Sequence, residues 1–177
     1  MPKWKIDPDH SVAAFSVQHL MIVKVFGQFN KLSGMVNFNP ENPTVFSLEL
    51  AIDVACIHTG IGKRDEHLRS PDFFDASAFP TMNYHSNEFN PGEGDNGILT
   101  GLLTLHGLTR KIILDTAFSG PVKSPVEIGG ETTLGISATT TLNREDFGMI
   151  WNVPLGEGVM VGREIDIRLE IEADLAE

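Results

Sequence analysis

The chain has 177 residues, and its 13 Lys and Arg against 24 Asp and Glu give a formal net charge of −11. No basic run interrupts this acidity, so a nucleic-acid or anionic-membrane partner, which needs clustered Lys and Arg, is not expected. A hydrophobic content of 41% is typical of a globular protein with a real core, and the length suits one domain over residues 1–177.

The apolar runs are short and the cysteine content is minimal. The run at residues 20–23 is far below the ~20 residues that a helix needs to cross a bilayer, so no transmembrane segment is predicted. No apolar segment follows the first three residues, which argues against a signal peptide. We therefore expect a cytoplasmic protein as numbered, and a periplasmic one if the chain is a processed form. Cys56 is the single cysteine, which excludes an internal disulfide.

Strand patterns follow one another along the chain. "HSVAAFSVQH" and "LSGMVNFN" are rich in β-branched and aromatic residues. In "SLELAIDVAC" the residues alternate strictly, which predicts a strand with Leu48, Leu50, Ile52 and Val54 on its inner face and residues 49 and 53 in solvent.

The second half of the chain continues in the same way. "TMNYHSNEF", "GILTGLLTL", "RKIILDTAF" and "TTLGISATTTL" are separated by Gly, Pro and Asn turns, and "REIDIRLEIEA" again alternates with period two. About eight antiparallel strands without long helices predict an all-β barrel or sandwich. Gly101 and Gly135 inside strands favour the barrel, because interior glycines mark the bends that curl a sheet.

Residues 62–82, "GKRDEHLRSPDFFDASAFPTM", break the strand pattern. The charged half predicts a short helical insert near 62–79, with Asp65 and Arg69 paired at i, i+4 and a second helix start at Ser70-Pro71. Phe73, Phe74, Phe79 and Met82 follow. We predict that this segment, which we call the cover (residues 62–82), closes one end of the barrel.

Catalytic and metal motifs are weak by comparison. The six histidines show no ligand spacing of a known metal site, so no metal is expected, and neither a nucleophile elbow nor a phosphate-binding loop is present. Asp65 and His67 could form an acid–base pair. A metal- or acid/base-dependent hydrolase using these two residues is the alternative to a binding protein, and a filled barrel that serves only as an interaction module is a third possibility.

Several motifs in order carry a family resemblance. "W-x-I-D" at 4–7, "HS-x3-F-x-V-x-H" at 10–19 and "F-G-x-F-x4-G" at 26–34 precede "R-D-x-H-L-x-S-x-D-F-F-D" at 64–75. "G-x-L-T-L-H-G-L-T-R" at 101–110 and "L-N-R-E-D-F-G" at 142–148 follow. Together, from residue 4 to about 172, they closely resemble the YceI family of polyisoprenoid-binding proteins.

The resemblance implies an extended, lipocalin-like antiparallel barrel, commonly a homodimer, that binds, stores or transports a long amphiphilic lipid without catalysis. A polyisoprenoid, an isoprenoid quinone or a fatty amide would be the ligand, and no other cofactor is expected. On this basis the lipid tail is expected to contact Phe15, Val17, Phe29, Leu50, Ile52, Phe73, Phe74, Phe79, Met82, Leu103, Ile136 and Trp151. The head group or the mouth is expected to involve His19, Arg64, Asp65, His67 and Arg144.

Overall fold

The computed structural model describes residues 1–176, which form strands almost throughout. The strands are β1 (Lys3–Ile6), β2 (Val12–His19), β3 (Val23–Phe29), β4 (Leu32–Phe38), β5 (Phe46–Asp53), β6 (Thr81–Pro91), β7 (Asn96–Leu105), β8 (Leu108–Lys123), β9 (Thr132–Asn143), β10 (Pro154–Leu155), β11 (Gly158–Val159) and β12 (Val161–Leu175). The helix α1 spans Gly62–Arg69, and short 3-10 helices occupy Pro8–His10, Val54–Cys56, Val126–Ile128 and Arg144–Phe147.

The long strands close into an antiparallel β-barrel, which confirms the predicted all-β fold. Eight strands follow one another as β1-β4-β5-β6-β7-β8-β9-β12, and β12 pairs back with β1. The last residues of β12 pair with β1, whereas its first part, from residue 161 to 170, pairs with β2. The β2–β3 hairpin therefore extends the wall at one end of the barrel.

The alternation along β5 sets which side chains face inward. Leu48, Leu50, Ile52 and Val54 are buried and Glu49 is exposed, as the period-two pattern predicts. Asp53, also predicted in solvent, is half-buried, because its carboxylate accepts from the backbone N–H of Ala55 and caps the 3-10 helix that follows. Gly34 on β4 is needed for this pairing, because its φ is +152° and a Cβ there would collide with the carbonyl oxygen of Glu49. The inner face of β5 is thus fixed against its neighbour.

One half of the barrel is filled by aromatic side chains. Phe118 stacks on Phe38 with a centroid distance of 4.5 Å and meets Phe46 edge-on at 4.8 Å. Trp4 lies in the same core, and its indole Nε1 donates to the carbonyl oxygen of Phe38 at 2.9 Å. These aromatic side chains pack the half of the barrel next to β1.

The cover connects β5 to β6 at the other half. Its helix ends at Arg69, and the second helix predicted from Ser70-Pro71 is wrong, because turns follow instead. The backbone N–H groups of Phe74 and Ala76 donate to the carbonyls of Leu68 and Arg69, which folds the chain back on the helix end. Within residues 1–176, no helix is long and apolar enough to cross a membrane.

The predicted Asp65–Arg69 ion pair is also wrong. The Asp65 carboxylate is buried and accepts hydrogen bonds from the backbone N–H of Thr59 at 2.9 Å and from its hydroxyl at 2.5 Å. It therefore anchors the start of α1 to the segment that leaves β5 and is not available to Arg69. Thr59 and Asp65 are six residues apart, and Thr59 precedes the helix. The i, i+4 spacing of a helix surface therefore does not predict this contact.

Candidate functional site

An apolar cavity of about 150 Å³ lies in the half of the barrel beneath the cover. Its wall comes from strands β2, β3, β5, β6, β7, β8, β9 and β12, and its lid comes from Leu68, Phe73 and Phe74 of the cover. Phe74 meets Phe29 of β3 edge-on at 5.4 Å. The cover therefore contributes side chains to the cavity directly.

Most residues expected to contact a lipid tail line this cavity. They are Phe15, Val17, Phe29, Leu50, Ile52, Phe73, Phe74, Met82 and Leu103. Their inward direction follows from the strand alternation and from the position of the cover between β5 and β6. Contact with a ligand remains a prediction for each of them.

Three of the expected tail residues lie elsewhere. Ile136 is buried on β9, where it pairs with Phe118 of the filled half. Phe79 packs with its ring 5.0 Å from His106, over the β7–β8 turn, outside the cavity lining. Trp151 stacks edge-on against His67 at 4.7 Å and tilts against Phe73 at 5.3 Å, so it braces the cover from outside.

The barrel is open on one side of this end. Along the inner face of β12, burial falls: Ala173 and Leu169 are buried, and Ile167 and Ile165 are half-buried. The neighbours β9 and β2 show the same gradient towards Leu142 and His19. Under the cover, by contrast, Ile52 near the end of β5 and Leu105 at the end of β7 are buried, although Leu103 is half-buried. Arg144, Phe147 and Met149 are buried just past the end of β9, so the less buried side lies at the ends of β12 and β2. We call this side the open end.

Arg144 is the predicted head-group residue that lines the cavity. Its guanidinium is buried and donates to the backbone carbonyls of Met149 at 2.6 Å, Gly162 at 2.8 Å and Val161 at 3.4 Å. It also lies 5.9 Å from the centroid of the Phe73 ring. Burial lowers the pKa of Arg144, with the nearby Glu145 carboxylate opposing that shift. The cation thus ties the 149–162 segment to the barrel end.

A phenol and a hydroxyl complete the polar lining. Tyr84 lines the cavity and lies 3.4 Å from the carbonyl oxygen of Leu99, to which its hydroxyl donates. Burial raises the pKa of Tyr84, so its phenol stays neutral near neutral pH. Thr140 on β9 adds the hydroxyl. The site offers apolar surface and few polar atoms.

The other expected head-group residues are engaged outside the cavity lining. Arg64 donates to the hydroxyl and the carbonyl of Thr59, at 2.7 Å each, next to the buried Asp65. His67 Nε2 lies 2.8 Å from a carboxylate oxygen of Asp72. His19 pairs with Val161 in the sheet and lies at the open end. The structure does not bring Asp65 and His67 together as a pair, since each is bonded to a different partner.

Sequence reasoning missed much of the lining on the later strands. Ile165, Ile167 and Leu169 were recognised as an apolar strand face, yet Ile112, Leu114 and Leu142 were not singled out. Alternation identifies which residues point inward, but it does not give their depth along the barrel. That depth separates Ile167, which lines the cavity, from Ile171, which lies in the packed core.

Among residues 1–176, one group is close enough to share a metal ion, namely Asp7, His10 and Glu172. His10 Nδ1 lies 2.6 Å from a carboxylate oxygen of Asp7 and 3.7 Å from one of Glu172. The short contact is a hydrogen bond that already uses both groups. The cluster lies beside β1, away from the cavity, and the expectation of no metal remains a prediction.

Comparison with known proteins identifies the family. The model of the YceI-like domain matches residues 4–173. The chain belongs to the YceI family. A UPF0312 protein of Pseudomonas aeruginosa strain PAO1 is 30% identical over 171 residues, which cover 96% of this chain and 85% of that relative. Residues 4–173, which include almost the whole barrel wall, up to the last residues of β12, thus form a YceI-like domain.

Two solved structures show the same fold. BcnA of Burkholderia cenocepacia superposes with a TM-score of 0.80 at 22% identity, over 94% of this chain and 98% of that one. A polyisoprenoid binding domain from Saccharophagus degradans, implicated in plant cell wall breakdown, superposes with a TM-score of 0.71 at 14% identity, over 98% of each chain. At these identities, the likeness to the two structures concerns the architecture of the YceI barrel.

Proposed function

We propose that this YceI protein binds the tail of a long amphiphilic lipid in the barrel, without catalysis. The observation that carries the proposal is the apolar cavity of about 150 Å³ under the cover, enclosed on one side and open on the other. The name of the Saccharophagus degradans domain suggests the class of ligand. The chemistry of the lining in this chain supports that class.

The size of the cavity limits what it holds. A dry apolar cavity of about 150 Å³ accepts a group the size of benzene, which is close to one isoprene unit. Five buried carbons at ~0.8 kcal/mol each contribute about 4 kcal/mol, which only matches the lower end of the ~4–15 kcal/mol cost of association. A stably bound tail must therefore bury further carbons, and the half-buried Val17, Ile165 and Ile167 offer apolar surface for them towards the open end.

The polar lining favours a neutral head group. Arg144 is the cation among the lining residues, and three backbone carbonyls already accept from its guanidinium. A pyrophosphate would need more positive charge than this, because a buried phosphate requires charge-assisted partners. A quinone or an amide head needs only one or two hydrogen bonds.

The proposal also covers the identity of the ligand, its storage or transport, and the oligomeric state, as the family resemblance implies them. The ligand is a polyisoprenoid, an isoprenoid quinone or a fatty amide, and the protein stores or transports it as a homodimer. The apolar lining supports this ligand class because all three share a long apolar tail.

The geometry gives the hydrolase alternative no assembled site. Asp65 is buried against Thr59, and His67 is bonded to Asp72 and packed between Phe73 and Trp151. A general acid or base must be free to reach the atom whose proton it transfers, and both groups are already engaged within the protein. A binding protein therefore explains the positions of these residues better than an enzyme.

Extraction of the protein purified from its own host tests the proposal. Organic extraction followed by quantitative mass spectrometry should yield a long-chain lipid in a molar amount comparable to the protein. A tag-free preparation that carries no lipid, and that takes up none when it is incubated with the host lipid extract, would contradict the proposal. A stoichiometric transition metal in the same preparation would favour the hydrolase.

A further inference from the structure

Exposed aliphatic side chains cluster beside the open end. The tip of the β2–β3 hairpin presents Leu20, Met21, Ile22 and Val23, and the adjacent 153–155 segment presents Val153 and Leu155, all of them exposed. We call these six residues the apolar rim. Ile22, at 79% exposure, is among the most exposed large hydrophobic residues of the described chain.

Direct contacts join the two parts of the apolar rim. The backbone N–H of Leu20 donates to the carbonyl of Met160 at 2.8 Å, and the N–H of Met160 donates to the carbonyl of Val153 at 2.9 Å. The thioether of Met21 lies directly against Gly158, where a Cβ would collide with it. The apolar rim is therefore one continuous surface and not a set of scattered side chains.

The turn conformation does not explain this composition. Leu20 and Met21 have φ values of +50° and +62°, in the left-handed region that Asn and Gly adopt most easily in hairpins. Leucine and methionine are costly choices there, and both side chains are exposed. The two side chains therefore contribute exposed apolar surface and do not favour the turn itself.

The apolar rim lies next to the entrance of the cavity. Val17 lines the cavity three residues before Leu20, and Val161 lines it directly after Met160. His19 pairs with Val161 across the same strand ends. A molecule leaving the cavity through the open end therefore meets the apolar rim.

Charge around the apolar rim differs from the rest of the chain. The chain carries 24 acidic residues, yet residues 10–40 contain none, and residues 147–162 contain one, Glu157 in the turn after Leu155. The exposed apolar residues Val126 and Ile128 flank Glu127 instead, and Glu131 follows them. Carboxylates are costly to bring into a lipid interface, so the apolar rim is the exposed surface best suited to enter one.

We propose that the apolar rim inserts into the interface of a zwitterionic lipid bilayer and places the open end of the barrel against it. Its apolar side chains provide the buried surface that drives interfacial binding, and Met21 supplies a flexible side chain that adapts to lipid. The net charge of −11 opposes binding to anionic surfaces, which is why a zwitterionic bilayer is the partner. Docking in this position lets a tail pass between bilayer and cavity without crossing water.

Flotation with phosphatidylcholine vesicles tests the proposal. The full chain should float with the vesicles, and the triple variant Met21→Ser/Ile22→Ser/Leu155→Ser should lower the partition coefficient at least about tenfold. The matched control Val126→Ser/Ile128→Ser removes side chains that are 82% and 73% exposed away from the cavity, and it should change partitioning less than about twofold. Circular dichroism on every variant verifies the fold.

Bilayer docking and self-association through the apolar rim give different results in these measurements. Equal flotation of the folded triple variant and the wild type would overturn the proposal, as would a wild type that does not float. Sedimentation velocity on the same samples detects self-association: a triple variant that dissociates a dimer and keeps its vesicle partitioning would assign the apolar rim to a protein interface instead. Lipid content after extraction is independent of all these results, so failure of docking leaves the proposed tail binding to be judged separately.

Discussion

At the scale of single residues, buried polar groups hold the end of the barrel in place. Arg144 and Asp65 are both buried, and each is bonded to backbone groups of a neighbouring segment. The nearest histidine to Asp65 is His58, whose Nδ1 lies 3.6 Å from a carboxylate oxygen and so beyond hydrogen-bond distance. Hydrogen bonds to the main chain therefore compensate the burial of both groups.

We expect Arg144→Met to destabilise the protein by about 3 kcal/mol, because three buried carbonyl acceptors lose a charged donor. Urea unfolding followed by circular dichroism measures this change in the free energy of unfolding. The matched control is Arg168→Met on the exposed face of β12, where the ion pair with Glu170 is worth below about 1 kcal/mol. Equal losses in the two variants would show that Arg144 does not hold the 149–162 segment.

The Asp7–His10 pair predicts a defined pH dependence of stability. The hydrogen bond that His10 donates to the Asp7 carboxylate raises the pKa of His10 above its ordinary 6.5, and the same bond lowers the pKa of Asp7 below 3.8. The raised histidine stabilises the fold fully below pH 6.5, and this contribution is lost as the pH rises through the folded-state pKa of His10. The lowered aspartate contributes above pH 3.8 and loses its contribution as the pH falls through its folded-state pKa.

We expect the difference in unfolding free energy between the wild type and His10→Asn to be larger near about pH 5.5 than near about pH 8.5. Urea titrations at the two pH values measure it. Asp7→Asn should reduce this pH dependence without removing it, since the hydrogen-bonded partner is then neutral while the Glu172 carboxylate still lies 3.7 Å from the imidazole. A difference that grows towards high pH would contradict the assignment.

At the scale of elements, the sequence predicted that the cover exists and what it is made of, but it did not predict the contacts that the cover makes. The break in alternation predicted an insertion between two strands, with a short helix and several aromatic residues. The length of the helix, the Asp65–Thr59 anchor and the outward position of Phe79 were not predictable, because each depends on segments that meet only in the folded barrel. The i, i+4 spacing identifies neighbours on the surface of one helix, but it does not identify contacts between the helix and other segments of the chain.

We expect Phe74→Asp to weaken lipid retention strongly, because it places a carboxylate in the apolar cavity next to Phe29. His67→Ala should cost at most about 1 kcal/mol of stability, through the lost hydrogen bond to Asp72, and leave retention largely unchanged. Extraction and mass spectrometry of both folded variants measure retention. Loss of a measurable turnover in His67→Ala, with unchanged lipid content in Phe74→Asp, would support the enzyme instead.

At the scale of the whole molecule, the barrel is divided along its axis into a packed half and a hollow half. Period-two alternation predicted the barrel and its inner face, as β5 and β12 show. It could not predict the division, since Ile136 and Ile167 both point inward in identical strand patterns. The two halves differ because Phe38, Phe46 and Phe118 pack together at one level along the barrel axis. These contacts join residues that are far apart in the sequence, so a local pattern does not predict them.

Nuclear Overhauser contacts between a bound isoprenoid and assigned methyl groups test this division and the tail site together. With geranylgeraniol added to methyl-labelled, otherwise deuterated protein, we predict contacts from the tail to methyls of Leu50, Ile165 and Leu169 in the hollow half. Methyls of Leu134 and Ile136 in the packed half should show none. Contacts confined to exposed methyls such as Val126 and Ile128, or no contacts from an isoprenoid shown to be bound, would contradict a tail site inside the barrel.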